Sequence, residues 1–203
     1  MAVTPPSPSD YSRWSPLGDG ESYAGPELRE WQTRALEAWE ASDHRGVVEA
    51  VTGTGKSLVG VAAIHEVLSL GGVALVMVPT LALVEQWVAN LRAQLPEARI
   101  GALSGLEKTD FRNSNVIVAT VQTLSRRALP GTSLTLIVAD EVHRYGSERF
   151  GNALSEQYQW RLGLTGTYER SGDDGKERVL DPYFGGTIFD YSYGEALSDG
   201  VVA

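Results

Sequence analysis

Two short runs that are almost entirely apolar limit the possible folds of this chain more than any other feature. They are Val73–Val78 (VALVMV) and Leu134–Ala139 (LTLIVA). A strand with one face in water alternates apolar and polar residues, and these runs do not, so each predicts a strand that is buried on both faces. Strands of this kind occur in parallel sheets whose two faces are covered by helices.

Segments with helical periodicity alternate with the apolar runs along the chain. The pattern predicts helices over residues 27–41, 56–70, 81–95 and 121–127, and strands over residues 46–51, 73–78, 100–103, 116–119, 134–139, 161–164 and 187–191. This alternation predicts an α/β three-layer sandwich with a mostly parallel central sheet and helices on both faces. Residues 1–26 hold five of the nine prolines and are predicted to form an irregular arm.

The composition narrows the classes of function. The chain has 203 residues and no cysteine, which excludes disulfides, cysteine-bound zinc and thiol nucleophiles. No apolar run reaches the roughly 18 residues of a membrane span, and the Met1 region lacks a signal-peptide pattern, so we expect a cytoplasmic protein. The net charge of −9 argues against a broadly basic nucleic-acid-binding surface, although not against a few neutral contacts with a strand.

Residues Ala50–Ser57 (AVTGTGKS) fit the phosphate-loop pattern, with alanine in place of the first glycine. Gly53 and Gly55 allow the backbone to approach a ligand, and the loop amides and the helix N-terminus favour an anion. In this pattern Lys56 reaches the β- and γ-phosphates, and the Ser57 hydroxyl binds Mg²⁺. The residues expected to bind a nucleoside triphosphate and Mg²⁺ are Thr52, Gly53, Thr54, Gly55, Lys56 and Ser57.

An acidic pair, Asp140 and Glu141, directly follows the apolar run LTLIVA. The pair is therefore predicted to lie at the carboxyl end of a buried strand, where ligands bind in open α/β sheets. We expect Asp140 to hold Mg²⁺, through a water, and Glu141 to act as general base on the water that attacks the γ-phosphate. His143 is expected to link the nucleotide state to neighbouring segments.

These motifs resemble the first RecA-like domain of superfamily 2 helicases and translocases. The resemblance covers about residues 27–200, and it points to xeroderma pigmentosum group B-type helicases and to the motor subunits of type I and type III restriction enzymes. It implies a RecA-like three-layer sandwich over residues 27–203 with a DExH-type ATP-binding site.

Two further segments carry the nucleotide side of the resemblance. Residues 28–32 are similar to the Q-type motif of this branch, whose glutamine reads adenine, so the resemblance implies that Gln32 binds ATP with Arg29 close by. Residues 162–167 are similar to motif III. The resemblance implies that the hydroxyls of Thr165 and Thr167 connect the acidic pair to the nucleic-acid side.

Two other segments carry the nucleic-acid side. Residues 78–87 are similar to motif Ia, and residues 119–124 to motif Ib or Ic. In this family both segments contact the nucleic-acid backbone, and hydroxyls and helix N-terminal amides suit phosphates. The residues that the resemblance assigns to this contact are Pro79, Thr80, Thr120 and Gln122. The apolar residues of the first segment, Leu83, Val84 and Trp87, are expected to belong to the core.

The sequence departs from the family pattern at two places. Tyr168 stands where many relatives have proline after motif III, and residues 169–174 (ERSGDD) stand where group B-type relatives have Arg-Glu-Asp. The second departure argues against a role in opening damaged DNA and leaves the motor assignment intact.

The resemblance implies a nucleic-acid-dependent ATPase, a helicase or translocase, and it favours DNA over RNA as the nucleic acid without deciding between them. In the family a second RecA-like domain supplies arginine fingers, and no segment here matches its motifs. We therefore expect that domain in the parent chain or a partner, and poor activity of this chain alone. Two alternatives stay open: a double-stranded DNA translocase of a restriction or defence system, and a nucleotide-dependent switch module without turnover of its own.

Overall fold

A computed structural model describes residues 27–103, 109–168 and 174–202. The predicted arm over residues 1–26 and the departure over residues 169–173 lie outside these ranges. The described strands are β1 (Arg45–Ala50), β2 (Val73–Val78), β3 (Ile100–Leu103), β4 (Val116–Thr120), β5 (Thr135–Asp140), β6 (Trp160–Thr165) and β7 (Thr187–Tyr191). They form one sheet in the order β3-β4-β2-β5-β6-β1-β7, and every neighbouring pair is parallel.

Six described α-helices accompany the sheet. They are α1 (Glu30–Ala41), α2 (Lys56–Ser69), α3 (Leu81–Gln94), α4 (Val121–Arg126), α5 (Asp181–Phe184) and α6 (Tyr193–Ser198). Short 3₁₀ helices cover Val142–Tyr145 and Glu148–Ala153, and a π-helical turn covers Lys176–Leu180. None of the helices in the described ranges combines the length and the apolar character needed to cross a lipid bilayer.

The core consists of two apolar layers, one on each face of the sheet. In β2, Ala74, Val76 and Val78 pack in the layer that contains α1, α2 and α3, whereas Leu75 and Met77 pack in the layer that contains α4 and α5. This is the arrangement expected for a strand with alternating side-chain directions between two helical layers. The predicted α/β sandwich with a parallel central sheet is confirmed.

Local interactions explain where two of the helices begin. The prediction placed the start of the first helix at residue 27, but α1 begins at Glu30 because Arg29 has an extended backbone (ψ 156°) and donates its N–H to the Gln32 side chain. Helix α3 begins at Leu81, where the Thr80 hydroxyl accepts the N–H of Leu83 at 3.3 Å, as is typical of an N-cap.

The sequence pattern did not predict the 3₁₀ helices, the π-helical turn, α5 or α6. Each of these elements spans four to six residues. Such segments make at most about one and a half turns, so an apolar period of 3.6 residues gives only a weak signal for them.

Candidate active site

Five consecutive strands, β4, β2, β5, β6 and β1, carry the predicted site segments at their carboxyl ends. Neighbouring strands lie about 4.8 Å apart, so the segments form a row along one edge of the sheet. In strand order, the row contains Thr120, then Pro79 and Thr80, then Asp140 and Glu141, then Thr165 and Thr167, and finally the phosphate loop. The acidic pair therefore lies between the predicted nucleic-acid segments and the nucleotide loop.

The phosphate loop connects β1 to α2 and has the backbone conformation that its glycines permit. Gly53 (φ 87°) and Gly55 (φ 91°) both adopt left-handed conformations. A Cβ atom at Gly55 would in addition lie 3.1 Å from Nε2 of Gln32, so this position is restricted by dihedral and by space. Thr54 is buried and donates its hydroxyl to the carbonyl of Val51 at 2.8 Å, which fixes the loop from inside.

Helix α1 holds the phosphate loop through Arg29 and Gln32. The Arg29 Nη1 atom donates to the carbonyl of Thr54 at 2.9 Å, and Gln32 Nε2 donates to the carbonyl of Gly55 at 3.0 Å. Gln32 is fully buried, and its Oε1 accepts the backbone N–H of Arg29. Both ends of the Gln32 amide are thus used by the protein. Contact with adenine stays a prediction: the amide keeps a second N–H and a second oxygen lone pair for it, but the fully buried side chain has to become accessible.

The acidic pair lies at the end of β5, and its first member is tightly held. One carboxylate oxygen of Asp140 accepts the indole N–H of Trp87 at 2.8 Å, and the other accepts the backbone N–H of Glu141 at 3.1 Å. The Tyr145 hydroxyl donates to the Asp140 carbonyl at 2.6 Å. Glu141 has a left-handed backbone (φ 54°), uncommon outside glycine, which turns the chain away from the strand direction.

Burial dominates the electrostatics of the site. It raises the pKa of Asp140 above the ordinary value, and the neighbouring Glu141 raises it further, while the hydrogen bond from Trp87 and the charge of Lys56 act in the opposite direction. Burial also lowers the pKa of Lys56, an effect that the negative charges of Glu141 and Asp140 oppose. The three charged groups are partly stripped of water and would gain from a ligand that carries both phosphates and a cation.

These residues surround a cleft of about 600 Å³. Its lining includes Thr52, Gly53, Gly55, Lys56 and Ser57 from the loop side, Asp140 and Glu141 from β5, and Leu83, Gln86, Trp87 and Asn90 from α3. The structure thus brings five of the predicted nucleotide-binding residues and both acidic residues together around one space. Arg29, Gln32 and Thr54 do not line it and instead contact the loop from behind.

The donors in the cleft fit Mg²⁺. A hydroxyl (Ser57) and two carboxylates (Asp140 and Glu141) line it together. The described residues contain no cluster of three or more histidine, cysteine, aspartate or glutamate side chains, so they offer no all-protein metal cage. Mg²⁺ suits such a site because it usually keeps several waters and binds through one or two carboxylates together with substrate phosphates.

His143 and motif III are joined by hydrogen bonds. The Nδ1 atom of His143 lies 2.7 Å from Oγ1 of Thr165 and 3.4 Å from a carboxylate oxygen of Glu141. The Thr165 hydroxyl donates to the carbonyl of Thr167 at 2.9 Å. A Cβ atom at Gly166 would lie 3.7 Å from Nζ of Lys56, which places motif III beside the phosphate loop as well.

The four predicted nucleic-acid residues also lie together. Thr80 and Thr120 are the N-caps of α3 and α4, and each hydroxyl accepts a backbone N–H at 3.3 Å. Thr80 is exposed, whereas Thr120 is only 6% exposed and also bonds the Thr123 hydroxyl. The exposed Gln122 reaches back to the carbonyl of Pro79 at 3.5 Å. Both threonines therefore have a structural role as caps, and their contact with a strand stays a prediction.

Sequence reasoning placed Trp87 in the core and gave it no role in the site. The structure confirms its burial and also places its indole N–H on Asp140. One signal was available, since a buried tryptophan usually finds a hydrogen-bond acceptor, but nothing in the sequence said which one. Gln86 and Asn90, which share the cleft-facing side of α3, were not predicted either.

Comparison with known proteins decides the family. Residues 25–170, more than half of the chain, match the family model described as type III restriction enzyme, res subunit. The chain belongs to this family. The resemblance to superfamily 2 helicases and translocases that the motifs indicated is thereby confirmed.

Relatives outside restriction systems are similar as well. The chain is 35% identical, over 153 residues, to a Halobacterium salinarum protein assigned as the DNA 3'-5' helicase Rad25, a match that covers 72% of this chain and 24% of that protein. It is 29% identical, over 179 residues, to a Saccharomyces cerevisiae protein assigned as the ATP-dependent helicase IRC3, with 78% and 26% covered. This family member thus spans about a quarter of the length of these relatives.

Several solved structures share the fold of this member of the res-subunit family. The UvsW helicase of bacteriophage T4 superposes with a TM-score of 0.67 at 21% identity, covering 89% of this chain and 67% of that one. The type ISP restriction-modification enzyme LlaGI, solved with a DNA substrate mimic, gives a TM-score of 0.64 at 20% identity, covering 87% and 21%. At these identities the likeness supports the RecA-like fold.

Proposed function

We propose that this chain is the ATP-binding motor domain of a nucleic-acid-dependent ATPase, a DNA helicase or translocase that couples ATP hydrolysis to movement along a strand. The observation that carries the proposal is the convergence of Lys56, Ser57, Asp140 and Glu141 on one cleft. A phosphate loop that faces one carboxylate able to hold Mg²⁺ and a second residue able to position the attacking water is the arrangement found in hydrolases of nucleoside triphosphates. The family match and the helicase relatives support the same conclusion.

In this mechanism the loop amides and the Lys56 ammonium hold the phosphates of ATP, and the Ser57 hydroxyl and Asp140 carboxylate hold the Mg²⁺ ion. When bound, Mg²⁺ neutralises charge that develops on the phosphate oxygens. The Glu141 carboxylate accepts a proton from the attacking water. Arg29 and Gln32 are positioned at the loop, and Gln32 selects adenine through the N–H and the oxygen lone pair that its bonds to the protein leave available.

Strand contact is assigned in this proposal to Pro79, Thr80, Thr120 and Gln122. They lie at the ends of β2 and β4, and β2 is the strand next to Asp140. On the other side of Asp140, the bond between His143 and Thr165 links the acidic pair to motif III. In this proposal the bound nucleotide and the bound nucleic-acid strand would contact the carboxyl ends of neighbouring β-strands.

We also propose that residues 27–203 constitute this domain and that a second RecA-like domain, in the same polypeptide or a partner, completes the site with an arginine finger. The greater length of the relatives supports this view. An arginine finger contributes on the order of 10³–10⁵ to turnover, so slow hydrolysis is expected without it. A cytoplasmic location is part of the same proposal.

The test compares ATP binding and DNA-stimulated hydrolysis in the complete motor. Glu141→Gln should bind ATP with affinity within about threefold of wild type and lose hydrolysis by about 10²-fold or more, because the general base is gone. Lys56→Ala should lose ATP affinity itself. The exposed Glu85 on α3 provides the matched control, and Glu85→Gln should behave as wild type. Wild-type turnover in Glu141→Gln would exclude the proposed role.

The family match favours a second candidate within the same chemistry, a double-stranded DNA translocase of a restriction or defence system. Strand separation and translocation are distinguished by running a strand-displacement assay beside a triplex-displacement assay. A helicase is active in the first, whereas a pure translocase is active only in the second. A switch module without turnover is disfavoured because Lys56, Asp140 and Glu141 are all present in the cleft.

A further inference from the structure

Trp87 is the side chain from α3 that contacts the acidic pair. It lies in the second turn of α3, is 3% exposed, and donates its indole N–H to Oδ2 of Asp140 at 2.8 Å. A hydrogen bond from a buried donor to a carboxylate is stronger and more directional than one made in water.

The indole ring is fixed by the helix that follows the phosphate loop. A Cβ atom at Gly60 of α2 would lie 2.9 Å from Cη2 of Trp87, so the ring occupies the space that a side chain would fill. The same position is bordered by Val138 of β5 and Leu164 of β6. Trp87 is therefore wedged between α2 and the sheet, and its N–H has little freedom to point elsewhere.

The two oxygens of the Asp140 carboxylate are held differently. Oδ1 accepts from the backbone N–H of the next residue, Glu141, and Oδ2 accepts from Trp87, 53 positions away in the chain. The bond from Glu141 joins neighbouring residues and therefore does not fix the carboxylate relative to the rest of the site. The bond from Trp87 fixes the carboxylate relative to a separate helix, α3. Without the indole donor, the carboxylate keeps only the local bond and is free to turn about its side-chain torsions.

We propose that Trp87 is a positioning residue that orients the Asp140 carboxylate toward the phosphate loop for metal-nucleotide binding. The inference rests on the proposed function, because it assumes that Asp140 holds Mg²⁺ beside the nucleotide. Trp87 acts through Asp140 and takes no part in proton transfer. The residues Ser57 and Asp140 fit the ion as described above, and Trp87 fixes the second of them.

The experiment measures ADP affinity of the 203-residue chain by calorimetry, once with Mg²⁺ and once with EDTA. Mg²⁺ should strengthen ADP binding by wild type. Trp87→Phe keeps an aromatic ring and removes the N–H donor, so it should cut the Mg²⁺-dependent gain by about tenfold, the usual worth of a hydrogen bond to a charged group. ADP affinity in EDTA should stay within about twofold of wild type, because Trp87 acts only through the metal ligand.

Trp39→Phe is the matched control. Trp39 is a buried tryptophan in α1 that donates its indole N–H to the carbonyl of Arg161 at 3.0 Å, away from the cleft. It should lower thermal stability and leave the Mg²⁺-dependent gain unchanged. In the Asp140→Ala background, Trp87→Phe should have no further effect on that gain, because its target is absent.

The possible results distinguish failure of the positioning role of Trp87 from failure of the proposed function. An unchanged Mg²⁺-dependent gain in folded Trp87→Phe overturns the positioning role and leaves the proposed function in place. Failure of wild type to bind ADP under either condition, in this chain and in the complete motor alike, overturns the proposed function itself. ADP binding by wild type without a Mg²⁺-dependent gain overturns the positioning role, because Asp140 then holds no metal for Trp87 to act on. If circular dichroism shows that Trp87→Phe does not fold, replacement of Trp87 by 3-benzothienylalanine decides, since sulfur takes the place of the indole N–H in a ring of nearly the same shape; a wild-type gain in that variant overturns the proposal.

Discussion

The Nδ1 atom of His143 lies 2.7 Å from the Oγ1 atom of Thr165, and this bond joins the ends of two neighbouring strands, β5 and β6. The Thr165 hydroxyl also lies 2.9 Å from the carbonyl of Thr167, and when its proton is donated there it accepts from His143, which assigns the proton of that imidazole to Nδ1. His143 also lies 3.4 Å from Glu141, so a single imidazole N–H faces both the proposed general base and motif III.

Thr165→Val should weaken the coupling between the acidic pair at the nucleotide and motif III. The substitution keeps the side-chain shape and removes the Thr165 hydroxyl from Nδ1 of His143, so nucleotide affinity should stay near wild type while stimulation of ATP hydrolysis by DNA falls on the order of tenfold. Thr187→Val is the control, because Thr187 is exposed at the amino end of β7, away from the site segments at the carboxyl ends of the strands. Steady-state ATPase assays of the complete motor check this, and equal losses in both variants would contradict it.

Substitutions of Thr80 can separate its capping role from a strand contact. Asparagine and aspartate both cap helices well, so Thr80→Asn and Thr80→Asp should keep α3 stable. Only Thr80→Asp places a negative charge beside a bound phosphate, and it should weaken DNA binding about fivefold relative to Thr80→Asn, since two charges about 4 Å apart in water interact by about 1 kcal/mol. Fluorescence anisotropy with labelled DNA measures the difference, and equal affinities would exclude contact at Thr80.

Gln32→Met should destabilise the chain in the absence of nucleotide. The Gln32 amide is fully buried and bonds the Gly55 carbonyl and the Arg29 N–H, and methionine leaves both unpaired. We expect a loss of about 2 kcal/mol, or about 4–8 °C in Tm. Gln122→Met, on an exposed side chain, should change stability by less than about 0.5 kcal/mol. An unchanged Tm in Gln32→Met, with only the preference for ATP over GTP lost, would show that Gln32 reads adenine without holding the loop.

Lys56→Met should make the nucleotide-free chain more stable at neutral pH. Burial lowers the pKa of Lys56 in the folded state below its unfolded value of 10.5, so the folded state disfavours the charge. The free energy of unfolding is therefore not reduced by Lys56 above the unfolded pKa, where the amine is neutral in both states. It decreases as the pH falls from the unfolded pKa through the folded pKa of Lys56. The Tm of Lys56→Met minus that of wild type should therefore be positive at pH 7 and shrink toward pH 10.5. Thermal melts across this range test the sign, and a negative difference at pH 7 would contradict it.

Most of the sheet could be predicted from the sequence because its central strands β2, β4 and β5 are buried on both faces and read as apolar runs. The bounds predicted for residues 73–78, 100–103 and 187–191 agree with β2, β3 and β7. The phosphate loop and the acidic pair could also be located, since each follows a buried strand directly. Parallel strands then bring such segments to one edge, whatever their order.

The partners of the site residues could not be predicted in the same way. The bond between Trp87 and Asp140 joins α3 to β5, and the bond between Gln32 and Gly55 joins α1 to the loop. Each depends on how two helices pack against the sheet, which periodicity does not encode. A buried amide and a buried indole are each expected to have a hydrogen-bond acceptor. Which carbonyl or carboxylate is that acceptor is determined by the packing of the folded chain.

The parallel sheet also leaves one edge of the molecule available for a probe. Turns at the amino ends of the strands carry none of the site segments, and Leu70, in the turn between α2 and β2, is 59% exposed. Because the sequence has no cysteine, Leu70→Cys would give the chain a single thiol at a place remote from the cleft. A fluorophore attached there would follow tumbling and assembly on DNA without occupying any position needed for chemistry.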